Sequence, residues 1–164
     1  MADEAVPEPR WSIGLRRGFS ATSYDDPFHQ TDVFASWDLP PRQPWRFESE
    51  SRWYLQSRLI GSGGWLSGQN EGGFVGTMGV SFVGGQLDFP LRADVGFSPT
   101  LLTRDEFGTT DFGMPLQFTS YGGLYLRFQR HFWAGYRFQH MSNASLKPEN
   151  SGLDLHVVGI SYHF

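Results

Sequence analysis

Residues 131–142 read His-Phe-Trp-Ala-Gly-Tyr-Arg-Phe-Gln-His-Met-Ser, and residues 154–164 read Asp-Leu-His-Val-Val-Gly-Ile-Ser-Tyr-His-Phe. In the first stretch Phe132, Ala134, Tyr136 and Phe138 alternate with Gly135, Arg137 and Gln139. In the second Val158, Ile160, Tyr162 and Phe164 alternate with Gly159, Ser161 and His163. A period of two puts successive side chains on opposite faces of a strand. With 143–153 as a loop, the two stretches make a β-hairpin with one apolar and one polar or small face.

The same period runs through most of the chain. Segment 10–19 alternates Trp11, Ile13 and Leu15 with Ser12, Gly14 and Arg16. Segment 30–39 alternates Val33, Ala35, Trp37 and Leu39 with Asp32, Ser36 and Asp38, and Phe34 breaks its polar side. Segments 45–60, 73–83, 86–98 and 115–128 behave alike, giving eight strand candidates with 131–142 and 154–164, and no segment has helical periodicity. A chain of 164 residues suits one domain, read as a barrel over 10–164 behind a flexible segment 1–9. The acidic N-terminus is no signal peptide, and we expect a mature chain whose export signal was replaced by a start Met. The net charge of −4 argues against a nucleic-acid partner, and the absence of cysteine removes disulfides and thiolate metal sites. No apolar run approaches the ~20 residues of a membrane helix, but barrel strands alternate and average to moderate hydropathy.

The polar set contains Arg16, Asp32, Arg46, Glu48, Glu50, Arg52, Arg58, Arg92, Asp94, Arg127 and Arg137. The apolar set is too large and aromatic for the narrow interior of eight strands. The expected architecture is therefore all-β: an eight-stranded antiparallel up-and-down transmembrane barrel, apolar side outward, charges paired within. The connections fall at 20–29, 40–44, 61–72, 84–85, 99–114, 129–130 and 143–153, alternately long and short, as between outside loops and periplasmic turns. Gly61-Ser62-Gly63-Gly64 and Gly72-Gly73 then belong to a flexible outside loop. A lipocalin-like ligand-binding barrel, with the apolar set inside, is the soluble alternative.

Chemistry concentrates at the outer end of the last hairpin. His140 and Ser142 share a face, and Asp154 comes beside His140 if 140 and 154 oppose each other. Nucleophile, base and orienting acid would then stand on the lipid-facing wall, since all three share parity with the apolar set. The competing reading is that strand ends near head groups are polar anyway, leaving a non-catalytic barrel of structural or adhesin type. His156 reads as a girdle residue or substrate neighbour. His29, His131 and His163 pair with no evident serine and acid, and Glu149 is the second-choice acid. No cluster has metal-ligand spacing, so neither metal nor cofactor is expected.

His140-Met141-Ser142-Asn143-Ala144, followed by Asn150-Ser151-Gly152-Leu153-Asp154, resembles the PagL family of lipid A 3-O-deacylases. These are small eight-stranded outer-membrane barrels whose pattern reads His-x-Ser-Asn-Ala-Gly, a short spacer, then Asn-x-Gly-x-Glu. The specific likeness covers about 140–164, and Asp154 stands for the family Glu and Ser145 for the Gly that follows Ala. The resemblance implies Ser142 as nucleophile, His140 as base, Asp154 as orienting acid and Asn143 as an aid to the oxyanion. It implies ester hydrolysis on lipid A of lipopolysaccharide in the Gram-negative outer membrane, with the site facing the outer leaflet and membrane lipids as surroundings. The 3-position follows from the resemblance alone. Lys147 and Arg104, in outside loops, are candidates for lipid A phosphates, with solvated loop charge as the plainer reading. Oligomeric state is left open, a homodimer included.

Overall fold

The computed structural model describes residues 11–21, 27–39, 45–46, 52–86 and 88–164. The N-terminal segment 1–9, expected to be flexible, and the side chains of Arg46, Glu48 and Glu50, expected inside, lie outside the described residues. In chain order the strands are β1 (Trp11–Ser20), β2 (His29–Asp38), β3 (Trp45–Arg46), β4 (Trp53–Gly68), β5 (Glu71–Gln86), β6 (Leu91–Leu102), β7 (Glu106–Phe107), β8 (Thr110–Asp111), β9 (Leu116–Arg127), β10 (Phe132–Ser142) and β11 (Leu153–His163). The eight long strands pair with their neighbours antiparallel, β1 with β11 and β2 directly with β4, while the two-residue β3 pairs with the start of β4. The sheet closes on itself with no free edge between long strands.

Following pairs round the barrel from Gly84 passes through Ala93, Leu124, Tyr136, Val158, Arg17, Thr31 and Trp65. It returns to β5 at Phe74, ten residues nearer the outer end. Such a stagger tilts the strands by about 40°. Each pairing row therefore climbs toward the outer end as it passes from β9 to β10, β11 and β1.

The alternating apolar set faces outward. Leu15, Val33, Met78, Val95, Phe138 and Ile160 are all exposed, which excludes the lipocalin-like arrangement. Trp11 and Trp37 stack at 5.3 Å on the periplasmic rim, in the manner of an aromatic girdle. Inside, charges pair. Arg16 Nε and Nη2 donate to Asp32 Oδ1 at 2.8 and 2.5 Å, and Gln30 Nε2 donates to Asp32 Oδ2 at 2.8 Å. Arg16 and Asp32 are only 3% and 2% exposed. Arg58 Nε donates to Asp38 Oδ1 at 2.7 Å, and Arg137 lies 4.3 Å over the Tyr121 ring. Phe34, which broke the polar alternation, lies under the Arg16 guanidinium at 4.4 Å, serving the ionic interior as an aromatic face.

Several expectations fail at the connections. Residues 61–72 are not a long loop. They carry β4 up to a two-residue turn, Gln69–Asn70, in which both residues have positive φ, as a tight hairpin requires. Gly64 is there for close approach: a Cβ on it would sit 2.1 Å from Thr31 O of the neighbouring strand. Nor is 45–60 one strand, since β4 begins at Trp53. β5 runs on to Gln86, past the expected turn at 84–85, and the strict alternation of long and short connections does not hold. Arg52, expected inside, is exposed and paired with Asp88.

The interior is also not polar throughout. At the outer end the β7–β8 hairpin seats Phe107 and Phe112 against Phe28, with ring centroids 5.6–6.0 Å apart, and Leu66, Met141, Leu153 and Leu155 complete an apolar plug. Aromatic side chains in a loop have no period to betray them, so the sequence reading missed this plug.

The buried Arg16–Asp32 pair yields a stability test. Asp32→Ala leaves a guanidinium buried without its carboxylate and should cost about 3–5 kcal/mol, whereas replacing both residues by apolar ones should cost much less. Urea unfolding in micelles, followed by the heat-dependent gel shift of the barrel, reads both. A single variant no weaker than the double would show that the pair does not hold the interior.

Candidate active site

Strands β10 and β11 bring His140 and Asp154 directly opposite each other. Directly paired residues have Cβ atoms ~5 Å apart, which is why the short aspartate reaches: His140 Nδ1 lies 2.7 Å from Asp154 Oδ1. With Nδ1–H donating to the carboxylate, Nε2 carries the lone pair and is free to act as a base. The side chains are 49% and 38% exposed, so the pair adds little to stability, and its use is to fix the ring and its tautomer. Gly152 packs against that ring, its φ of +62° being one that glycine adopts readily, and a Cβ there would meet His140 Cε1 at 3.4 Å.

Ser142 is the last residue of β10 and shares the outward face with His140, paired with Phe118 of β9. Its hydroxyl makes no hydrogen bond among the described residues, and nucleophile contacts are often loose before substrate is bound. Below the site the wall is apolar and aromatic. Phe138 stands edge-on to His156 at 5.6 Å, and Tyr136 Oη lies 2.7 Å from His156 Nδ1. His156 is therefore tied to a tyrosine on the lipid-facing wall.

Asn143 departs from its expected part. It is fully buried, and its Nδ2 donates to Phe112 O at 3.0 Å and Glu149 O at 2.6 Å. Its main-chain N–H donates to Asn150 Oδ1 at 3.0 Å. Every N–H of Asn143 is thus engaged in holding the loop, so none is left for an oxyanion. Its odd parity turns it inward, away from the face of Ser142. Ser151 makes a second tie, its N–H and Oγ both donating to Asp111 O at 3.2 and 2.7 Å. Loop 143–152 is thereby fastened to the β7–β8 hairpin and the aromatic plug, a support the sequence reading did not find.

Two other groups become candidates for the oxyanion. Asn150, with Oδ1 occupied, keeps its Nδ2 hydrogens for another acceptor. Ala144 and Ser145, two and three residues after Ser142, have φ of +54° and +63°, and their N–H groups make no backbone hydrogen bond among the described residues. Ser145, where the family pattern has Gly, thus keeps the left-handed backbone that glycine favours, at a cost of about 1–2 kcal/mol.

The remaining candidates lie apart. Glu149 contributes its carbonyl and not its carboxylate. His131 Nδ1 lies 2.9 Å from His163 O, His163 Nε2 lies 3.2 Å from Ser161 Oγ, and His29 stands edge-on to Phe19 at 5.6 Å. Arg104 pairs with Glu71 at 3.0 Å, and Lys147 is exposed. Among the described residues no group of three metal-ligating side chains gathers.

Comparison with known proteins agrees with this geometry at the level of fold and family. The crystal structure of the outer membrane enzyme PagL superposes with a TM-score of 0.78 at 19% identity, covering 92% of this chain and 98% of that one. The N-terminal β-barrel domain of Pseudomonas aeruginosa OprF superposes with a TM-score of 0.56 at 11% identity, covering 94% and 97%. No curated protein sequence matches the chain. Residues 30–163 match the profile of the family described as Lipid A 3-O-deacylase (PagL). That match spans most of the barrel, including the β10–β11 hairpin and its loop, and the chain belongs to the PagL family of outer-membrane lipid A deacylases.

Proposed function

We propose that this protein is a serine esterase that hydrolyses the ester-linked acyl chain at the 3-position of lipid A, from a site facing the outer leaflet. The observation that carries the reading is the 2.7 Å bond from His140 Nδ1 to Asp154 Oδ1, made on the outward face that also bears Ser142. His140 Nε2 takes the Ser142 proton as Oγ attacks the acyl carbonyl, and Asp154 stabilises the imidazolium that forms. Collapse of the tetrahedral intermediate breaks the ester C–O bond, and the imidazolium gives its proton to the departing sugar oxygen. Water, deprotonated by the same imidazole, then cleaves the acyl-enzyme and a fatty acid leaves. Asn150 Nδ2 and the N–H groups of Ala144 and Ser145 hold the oxyanion, while Asn143 braces the loop that carries them. An aliphatic and aromatic wall directly beneath the site suits a substrate that is itself a membrane lipid.

Lipid A recovered from cells making the protein, analysed by mass spectrometry, tests this reading. Ser142→Ala and His140→Ala should each nearly abolish acyl release while the barrel still folds. Asp154→Asn should lower it strongly but less, and Asp154→Glu should stay within roughly tenfold of the parent, since a flexible glutamate can relax part of a ~1 Å misplacement. Full activity in Ser142→Ala would overturn Ser142 as the nucleophile, and unchanged lipid A in cells making the parent would return the non-catalytic barrel.

The division of labour between the two asparagines makes a separate prediction. Asn150→Ala should lower kcat roughly 100-fold, as loss of an oxyanion donor does. Asn143→Ala should instead loosen the loop, seen as faster proteolysis between 143 and 152, and Ser145→Gly should stabilise the protein with little change in rate. If Asn143→Ala lost kcat with its loop still protected, Asn143 would act on the reacting atoms after all.

A further inference from the structure

Of the outward-facing side chains on the eight long strands, only two carry a formal charge, leaving histidines aside: Asp154 and Arg17. Asp154 is paired with His140. Arg17 stands among Leu15, Phe19, Val33 and Val158, all exposed, and no carboxylate among the described residues forms an ion pair with it. Charge on the lipid face is unfavourable at the bilayer midplane and becomes tolerable near the head groups. The sequence shows Arg16-Arg17 as a pair, one guanidinium for each face of β1, and the interior accounts only for the first.

The arm of Arg17 is held in a defined position. Nη1 donates to Thr31 Oγ1 on β2, and the guanidinium lies 5.8 Å over the ring of Phe19, two residues nearer the outer end. It therefore leans toward the head groups. Its height follows from the stagger of the barrel. Ala21 N–H donates to Asp154 O at 2.8 Å, which puts Arg17 four residues below the level at which Asp154 meets β1. Four residues at about 40° of tilt descend ~10 Å and the climb from β11 to β1 returns ~3 Å, which leaves the Arg17 backbone ~7 Å below Asp154. The lean of the arm toward Thr31 and Phe19 shortens that gap, one strand further round the barrel from the His140–Asp154 pair. A planar fork of donors there matches a phosphate, the anion of a phosphorylated glycolipid.

We propose that Arg17, positioned by Thr31, is a binding site for lipid phosphate on the outer wall, beside the Asp154–His140 pair. This rests on the lipid-hydrolase reading for its purpose, and a phosphate of the substrate itself or of a neighbouring lipid supplies the same chemistry. The test uses the full chain refolded in neutral maltoside micelles, with bisphosphorylated lipid A and its phosphatase-treated form as probes. Arg17→Gln should raise KM for the phosphorylated probe about tenfold. It should leave kcat unchanged, leave the dephosphorylated probe unaffected, and be partly rescued by Arg17→Lys. An effect of Arg17→Gln that appears only after anionic phosphatidylglycerol is added, and then on both probes alike, assigns the phosphate to a neighbouring lipid. Equal effects on both probes in neutral micelles, or no effect in either micelle, would overturn the site. Binding of the same probes to Ser142→Ala protein, with and without Arg17→Gln, keeps the two readings apart. Arg17-dependent binding by a parent that releases no fatty acid would refute the hydrolase and leave the phosphate site standing.

Discussion

Every backbone N–H and C=O that crosses hydrocarbon has to find its partner within the protein, because lipid offers none. The closed ladder from β1 to β11 and back through β2 and β4 meets that demand, and the rest of the molecule answers to it. Closure by eight strands leaves a narrow lumen, so bulky apolar side chains go outward and polar ones inward. Ions enclosed in the lumen then need compensation, and around Arg16 and Asp32 three donors from two side chains converge on one carboxylate.

The same closure fixes where chemistry can happen. A lumen filled by side chains offers no room for a lipid, whereas the outer wall meets lipids directly. His140 and Asp154 continue the outward parity of Phe138 and His156 to the end of their strands, so the ladder that satisfies the backbone also opposes the two side chains. No loop rearrangement is needed to bring the carboxylate and the imidazole together. Strand pairing does with rigid geometry what a mobile loop would do less exactly.

The proposed nucleophile depends on a second support. Ser142 stands where β10 gives way to loop 143–152, and that loop would fray without its ties to Phe112 and Asp111. The aromatic plug thus closes the outer end of the lumen and holds the site loop from within. Asn143 lies at the joint between these two tasks. Its neighbours in sequence face the lipid, and its own side chain faces the plug.

Strand parity made the barrel, the inside-out arrangement and the shared face of His140, Ser142 and Asp154 legible from the chain alone, since a period of two depends only on adjacent residues. Parity could not tell the paired glycines of 61–64 from a loop, because a residue without a side chain carries no facing signal; the close approach of β2 at Gly64 became apparent only with both strands in place. It could not distinguish Asn143 from Asn150, two asparagines of one loop whose free and occupied donors are set by partners up to 31 residues away in the chain. Nor could it assign Arg17 a height in the membrane. That depends on the stagger between strands, a property of the closed barrel that no single segment contains.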